Sequence, residues 1–302
     1  MLQGEEPLVS IITLNYNQTK LTCEFLESAR LLTYKNFEIL VCDMASDINP
    51  TNDIITGKYS KTRLLISKKN LGFSAGNNWG IRQAEGEYVF IINNDTEVTP
   101  DLIQLLIEPF YADPTIAVTC PKIKFYNFPD IIQYAGFGPM NSFTGRSSTI
   151  GEMKQDTGNY DQSGKTNAAH GCAMMIKKEI LNKTGMFPEV FFLYYEEWDL
   201  SARILKAGYT IWYAAKATVY HKDSMSVGKQ NPLRTYYLSR NRILFMRRNY
   251  GYTNLFLFSL FFIFFTIPKS VVQYISRKEY NHLGQFFKAI FWNLRHPVSS
   301  VV

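Results

Sequence analysis

The chain has 302 residues, 46% hydrophobic and 15% aromatic, with a formal net charge of +6 and four cysteines. That composition excludes a disordered chain and allows one large domain or two. The cysteines (Cys23, Cys42, Cys120 and Cys172) lie far apart without metal-ligand spacing, which excludes a zinc knuckle and fits a reducing compartment.

The N-terminus, MLQGEEPLVS, has neither a basic nor an apolar region of the signal-peptide kind. Leu8–Leu14 reads as a strand ending at Asn15-Tyr16-Asn17. Thr19–Leu31 reads as a helix with Leu21, Phe25, Leu26 and Ala29 on one stripe. Phe37–Val41 is a second strand ending at Cys42-Asp43, Asn52–Tyr59 a short helix and Arg63–Ser67 a third strand. Asn70–Trp79 is a Gly/Asn-rich loop leading into a helix that runs to Glu85. Tyr88–Ile92 is a buried strand that breaks into Asn93-Asn94-Asp95-Thr96. This alternation predicts a mainly parallel α/β sheet with helices on both faces. Polar residues at each strand's C-terminal end (Asn15, Tyr16, Asp43, Asn70, Asp95) fall where such sheets bind ligands. An acidic cluster there suits a hard divalent cation, although Asn and Asp also form ordinary turns.

Pro100–Tyr111 reads as a helix, Ile116–Thr119 as a short strand, and 127–167 as loops and irregular strands. His170–Lys177 is a buried strand, and Glu179–Thr184 a helix stopped by Gly185. The aromatic run from Phe191 ends in Glu196-Glu197-Trp198-Asp199 and opens a helix closed by Gly208. Acids in a first helical turn complement the macrodipole, and Asp199 can pair with Arg203. That does not explain three acids beside Tyr194, Tyr195 and Trp198, where burial would raise a carboxyl pKa towards that of a general base. Tyr209–Val219 is one or two strands leading to His221.

The last third differs in charge. Residues 222–302 hold 12 Lys/Arg against two acids, +10, leaving −4 for residues 1–221. Such asymmetry points to a polyanionic partner. Asn231-Pro232 caps a basic helix to about Arg248, followed by Leu255–Ile267, an apolar run with six Phe, interrupted by Pro268-Lys269. Leu283, Phe286, Phe287, Ile290, Phe291 and Leu294 form one apolar stripe, with Trp292 at its margin. These three segments predict a region in the cytoplasmic membrane interface, peripheral or with one span. Buried helices or an oligomer interface would give the same pattern. Phe density this high argues against nucleic acid.

Seven motifs in order over residues 8–250 make the chain resemble the inverting glycosyltransferase family 2, in its rhamnosyltransferase-like branch. They are VSIITLNYN (9–17), VCDMASD (41–47), NLGFSAGNNWGI (70–81), FIINNDT (90–96), HGCAMMIKKEIL (170–181), FFLYYEEWDLSARILKAGY (191–209) and HKDSMSVG (221–228). The resemblance implies a GT-A fold, with a nucleotide-sugar-binding half (1–120), an acceptor and catalytic half (121–228) and membrane-associated helices (229–302). It implies that the Leu14–Tyr16 backbone (with Asn15) and the Asp43 carboxylate bind the nucleoside, and that Asn70, Gly72, Asn77 and Asn94 line the donor site. Asp95 matches the last residue of a DXD-type motif holding Mn²⁺ or Mg²⁺, with His221 a further metal or diphosphate contact. Glu197 matches the catalytic base, with Glu196 the alternative and Asp199 a supporting acid; Trp198, Arg240 and Arg242 fall to the acceptor or membrane side. The chain departs from the pattern in having Asn93 at the first DXD position, Glu where Asp is common at the base, and VCDMASD where VDNxSxD is common.

The implied activity moves a sugar from a UDP- or dTDP-sugar, dTDP-rhamnose among them, to a glycan hydroxyl on a polyprenyl diphosphate, in cell-surface polysaccharide synthesis. Inverting displacement at an anomeric carbon needs one base and one Lewis acid for the departing diphosphate. A nucleotidyltransferase-like enzyme and a non-catalytic nucleotide-sugar-binding scaffold are the alternatives. The former would place a Gly/Arg-rich loop where Asn15-Tyr16-Asn17 stands.

Overall fold

A computed structural model describes residues 6–222 and 231–297; the segment 223–228 of the last motif lies outside them. Strands β1 (Val9–Asn15), β2 (Phe37–Asp43), β3 (Thr62–Ile66) and β4 (Tyr88–Ile92) run parallel in the order β3-β2-β1-β4. They are joined through α1 (Thr19–Ala29), α2 (Thr51–Thr56) and α3 (Gly72–Gln83). Every residue of β4 is buried, as expected of a strand inside a covered parallel sheet.

The sheet continues as β9-β6-β10-β5. Here β5 (Thr96–Val98), α4 (Leu102–Ala112), β6 (Ile116–Phe125), β7 (Phe128–Tyr134), β8 (Gly164–Lys165), β9 (Ala173–Lys177), α5 (Lys178–Thr184), α6 (Glu196–Lys206) and β10 (Thr210–His221) follow one another along the chain. Strand β9 runs antiparallel to both β4 and β6, so the ten-stranded sheet is mixed, with its parallel half towards the N-terminus. Strand β6 crosses residue 120 and binds the two halves into one sheet.

Two segments differ from their expected form. Residues 72–79, expected as loop, are the first two turns of α3. Their glycines are a packing requirement: a Cβ on Gly76 would stand 2.8 Å from Met44 Sδ, and one on Gly80 2.7 Å from Ile12 Cγ2. Glycine thus lets α3 lie directly on β1 and β2, and this contact outweighs its poor helix propensity. Strand β6 is also longer than expected, because the buried Lys122 continues it, its charge met by Asp156 at 3.1 Å.

In the last third, Asn231 caps α7 (Pro232–Asn249) by accepting from the Leu233 N–H at 2.9 Å. A continuous helix, Tyr252–Ser276, follows as α8 (Tyr252–Phe261), a π-helical turn (Phe262–Thr266) and α9 (Ile267–Ser276). The π turn immediately precedes Pro268, where the widened register accommodates the missing N–H and the ring; proline therefore does not end the helix. At about 1.5 Å per residue its 25 residues reach roughly 37 Å, more than a bilayer core of about 30 Å. Only 11% of its most apolar stretch is buried, whereas a soluble core helix would be largely covered.

Helix α10 (Tyr280–Arg295) packs along α7. Its buried residues are Phe286, Ala289 and Asn293, while Phe291 and Leu294, expected on the inner stripe, are 52% and 76% exposed. The apolar stripe is wider than α7 covers, and one flank faces outward.

Candidate active site

The ends of β1, β2 and β4 are joined by one buried relay. Asn94 Nδ2 donates to Thr22 Oγ1 (2.9 Å), Thr22 Oγ1 to Asn15 Oδ1 (2.9 Å) and Asn15 Nδ2 to Asp43 Oδ1 (2.7 Å). Asp43 also accepts from the Ser46 hydroxyl (2.6 Å) and the Ser46 N–H (3.0 Å). The loops after β1 and β2 are stitched further by Asn17 Nδ2 to Asp47 Oδ2 (3.0 Å) and the Asp47 N–H to Asn17 Oδ1 (2.7 Å). Asn15, Asp43 and Asn94 therefore form the floor of this rim, tied together through Thr22. Tyr16 stands out from it, 43% exposed. The Asp43 carboxylate, expected to accept from a nucleobase, accepts from three protein donors and so clamps the loop after β2. Leu14 turns its side chain under Gly76. Asn70 Oδ1 accepts from the Gly72 N–H at 2.8 Å and turns the chain into α3, with Gly72 in the left-handed region (φ 73°) against the Phe192 ring.

The structure brings Asp95 and His221 together from β-strand ends 126 residues apart, with His221 Nε2 3.1 Å from Asp95 Oδ1. His221 Nδ1 meets Gln133 Oε1 at 2.8 Å, which fixes the ring. Burial lowers the His221 pKa, but the neighbouring Cys172 and the Asp95 carboxylate outweigh it, and the net shift is well upward. The Asp95 carboxylate suits Mn²⁺ or Mg²⁺, and the His221 imidazole would join it on one cation only on losing the proton that the Asp95 carboxylate favours. No cluster of three such ligands occurs among the described residues, so the remaining positions would fall to diphosphate and water oxygens. Asn93 Nδ2 lies 3.5 Å from His221 Nε2, and the Asn93 N–H donates to the Cys172 carbonyl at 2.8 Å.

The acid pair sits at the start of α6. Burial, reinforced by the Glu197 charge, pushes Glu196 well above the usual carboxylate range, and burial pushes Glu197 up to about 7. Glu196 Oε2 and Glu197 Oε2 have no hydrogen-bond partner among the described residues, nor do Asn77 Oδ1 and Ser74 Oγ at the start of α3. Phe192 joins the two helix starts, since its carbonyl accepts from the N–H groups of Phe73 (2.7 Å) and Ser74 (3.3 Å). Phe192, Tyr194 and Tyr195 all have positive φ (63°, 71°, 72°), a conformation costing of order 1–3 kcal/mol at each non-glycine residue. Such strain persists only where neighbours impose it. The neighbour here is α7: Asn241 Nδ2 donates to the carbonyls of Phe191 (2.9 Å), Leu193 (2.7 Å) and Tyr194 (2.8 Å), and the Arg240 guanidinium to those of Val190 (2.7 Å) and Phe191 (2.6 Å).

The same geometry shows where the residues expected on the acceptor or membrane side and the supporting acid lie. Arg240 and Arg242 are 6% and 5% exposed, not at an acceptor or membrane surface. Arg242 Nε donates to the Thr144 carbonyl (2.7 Å), with its guanidinium over Phe258 and Phe262. Asp199 takes Arg203 (3.0 Å), Arg248 (2.9 Å) and Asn249 (2.9 Å), so it ties α6 to α7, and the i, i+4 pair with Arg203 is present as expected. Trp198 packs on Phe137 with ring centroids 4.8 Å apart.

A profile of the family described as Glycosyl transferase family 2 matches residues 10–185, more than half of the chain. The chain belongs to glycosyltransferase family 2. It is 27% identical over 254 residues to the uncharacterized protein y4gI of Sinorhizobium fredii, covering 81% of this chain but only 28% of that protein. It is 23% identical over 242 residues to the N-acetylglucosaminyl-diphospho-decaprenol L-rhamnosyltransferase of Mycobacterium tuberculosis, covering 74% of this chain and 78% of that enzyme. The solved mannosyltransferase PcManGT from Pyrobaculum calidifontis, in complex with GDP-Man and Mn²⁺, superposes with a TM-score of 0.60 at 15% identity, covering 96% of this chain and 88% of that one. The structural likenesses make the fold GT-A-like, and the family match makes the chain a member of glycosyltransferase family 2.

Within this family 2 chain, two contributors escape the sequence reading. Asn241 acts on backbone carbonyls about fifty residues away, which no local pattern reveals. His170 is held neutral, with burial and the His221 charge lowering its pKa to about 3. Its Nδ1 accepts from the Cys172 N–H at 3.1 Å, shaping the loop between Glu197 and His221.

Proposed function

We propose that this family 2 glycosyltransferase transfers a sugar, with inversion, from a UDP- or dTDP-sugar such as dTDP-rhamnose to a hydroxyl of a polyprenyl-diphosphate-linked glycan at the cytoplasmic membrane face. The observation that carries the reading is the Glu196-Glu197 pair, with carboxyl oxygens left without partners on a strained loop that α7 holds in place. Glu197, half-ionised near neutral pH, takes the proton of the acceptor hydroxyl. That oxygen attacks the anomeric carbon from the face opposite the diphosphate, and the anomeric C–O bond breaks with its electrons leaving on the nucleoside diphosphate. Asp95 and His221 would hold Mn²⁺ or Mg²⁺, which when bound neutralises the leaving diphosphate as a Lewis acid. Tyr16 offers an exposed ring beside the Asn15–Asp43 clamp, suited to stacking on the nucleobase. Asn77 and Ser74 offer buried polar atoms to the sugar or diphosphate. The outward apolar face of Tyr252–Ser276, with Ile263, Phe264, Phe265 and Val272 exposed, supports membrane attachment near a lipid-linked acceptor.

A thermal-shift screen with UDP-, dTDP-, GDP- and CMP-sugars, with and without Mn²⁺, tests this. A ligand at a hundred times its Kd stabilises by about 2.7 kcal/mol, a readily measured shift. One UDP- or dTDP-sugar should shift the midpoint in a Mn²⁺-dependent way, and turnover of that donor should vanish in Glu197→Gln while binding remains. Full turnover in Glu197→Gln would remove the proposed base, and donor binding without transfer to any lipid-linked acceptor would favour a scaffold.

A further inference from the structure

A cavity of about 430 Å³ opens between α7 and α10. Its walls are aromatic (Tyr236, Phe287, Phe291 and Trp292), and Lys288 and Arg295 line it from the same helix. No carboxylate lines it, and among the described residues neither Lys288 nor Arg295 has an acidic partner. Lys288 Nζ instead lies 5.6 Å from the Tyr236 ring centre. Aromatic walls with uncompensated cations suit an anionic amphiphile: a phosphate to the cations, a hydrocarbon chain to the rings. Phe291 and the 76%-exposed Leu294 carry the apolar lining outward, on a helix that packs against the exposed Tyr252–Ser276 helix.

The cavity is also one side chain away from the strained loop. Trp292 packs under the Arg240 guanidinium (4.8 Å), and Arg240 donates to the carbonyls of Val190 and Phe191. Tyr236 stands edge-on to Tyr237 (5.1 Å), which stacks on Phe192 (5.1 Å, 15° between planes). Both walls therefore touch residues that shape the approach to Glu196 and Glu197.

We infer that the α7–α10 cavity binds the isoprenoid diphosphate of the acceptor, with Lys288 and Arg295 on the phosphates and the aromatic walls on the first isoprene units. This rests on the proposed lipid-linked acceptor and gives it a place.

Farnesyl diphosphate, a short isoprenoid diphosphate, is the probe, measured by equilibrium binding to the full chain in neutral detergent without metal. Saturable binding should weaken about tenfold or more in a Lys288→Gln, Arg295→Gln double variant, since charge-assisted hydrogen bonds to phosphate are lost. Both side chains are exposed, so the variant should keep the wild-type melting temperature and Mn²⁺-dependent donor shift, which separates this site from the donor site. Farnesol and inorganic diphosphate should each bind at least tenfold more weakly, because each satisfies half of the cavity. Equal farnesyl diphosphate binding in wild type and variant overturns the assignment. So does displacement by excess UDP, which would place the probe in the donor site, or inorganic diphosphate binding as tightly as the lipid. If the donor shift and transfer to a soluble acceptor persist while the probe does not bind, this inference falls and the glycosyltransferase reading stands.

Discussion

Asn241→Ala should lower kcat far more than it disturbs donor binding. Asn241 is fully buried, and its amide donates to three carbonyls of the loop that carries the acid pair. Phe191 O keeps a second donor in Arg240, but Leu193 O and Tyr194 O lose the only side-chain donor they have among the described residues. Two partly buried carbonyls at roughly 1–2 kcal/mol each make a loss of about 2–4 kcal/mol at most. This loss falls on a segment where three non-glycine residues already sit at positive φ. The least costly response is for Phe192 and Tyr194 to relax towards ordinary backbone, moving Glu197 off its position. The expected outcome is a kcat reduced by about 10- to 100-fold, as a displacement of about 1 Å can cause, with donor KM within about twofold of wild type. Donor KM should change far less than kcat because the Asn15–Asp43–Ser46 clamp shares no bond with this loop, whose link to the donor side is the Phe192 carbonyl on the Phe73 and Ser74 N–H groups. Initial rates of nucleoside diphosphate release at saturating donor and acceptor measure both constants, and thermal unfolding reports the stability loss alongside. A lower melting temperature with unchanged kcat would refute the link between this loop's strain and the chemistry.

The pH dependence follows from burial at the acid pair. Activity should rise with pH to half its maximum near 7, as Glu197 loses its proton, and a profile flat from pH 5.5 to 8.5 would contradict Glu197 as base. Stability should run the other way: both carboxyls are raised from 4.5, so the fold favours their protonated forms, and the Glu197 contribution is lost as pH rises from about 4.5 to about 7. Melting temperatures of Glu196→Gln and Glu197→Gln should therefore fall less than wild type between about pH 5 and 7. Asp95→Ala should remove the Mn²⁺-dependent part of the donor thermal shift, and an unchanged shift would dissociate Asp95 from the metal. Gly80→Ala, whose new Cβ would stand 2.7 Å from Ile12 Cγ2, should cost about 1–3 kcal/mol of stability in denaturant titrations and leave the pH profile unmoved.

The parts legible in the sequence are those written in local chemistry. Apolar runs closed by polar residues marked β1, β2 and β4, Asn231-Pro232 marked the start of α7, and Gly185 and Gly208, both at positive φ, marked helix ends. The parts that were not legible depend on what lies across the contact. The composition of Gly72–Trp79 looks like loop until the close approach of β1 and β2 is seen. Basic residues on α7 look like surface until the carbonyls of 190–194 and Thr144 are found beneath them. On α10 the heptad-like stripe shows that a face is apolar, but α7 takes only part of it, burying Asn293 through its bond to the Arg240 carbonyl (3.0 Å) and leaving Leu294 outside.

The same distinction bears on the two adjacent acids, which sequence alone leaves equivalent. Two carboxyls in a water-poor site do not both ionise near neutrality, because each negative charge raises the cost of the other. Glu196 is the more secluded, 3% exposed, and the Glu197 charge acts against it, so it is the one that keeps its proton. A carboxyl that stays protonated at neutral pH cannot take the proton of an acceptor hydroxyl. The Glu197 anion is favoured by two backbone N–H groups, those of Glu197 and Tyr195, against one for Glu196, and its carboxyl lies beside Gly171, where no side chain intervenes. Gly171 in turn separates His170 from Cys172, whose thiol bonds His221. The three-residue loop 170–172 thus has the ionisable acid against its middle and the Asp95–His221 pair against its end. This juxtaposition favours Glu197 over Glu196 as the proposed base, since it keeps proton acceptance and diphosphate departure on one short, rigid stretch of chain.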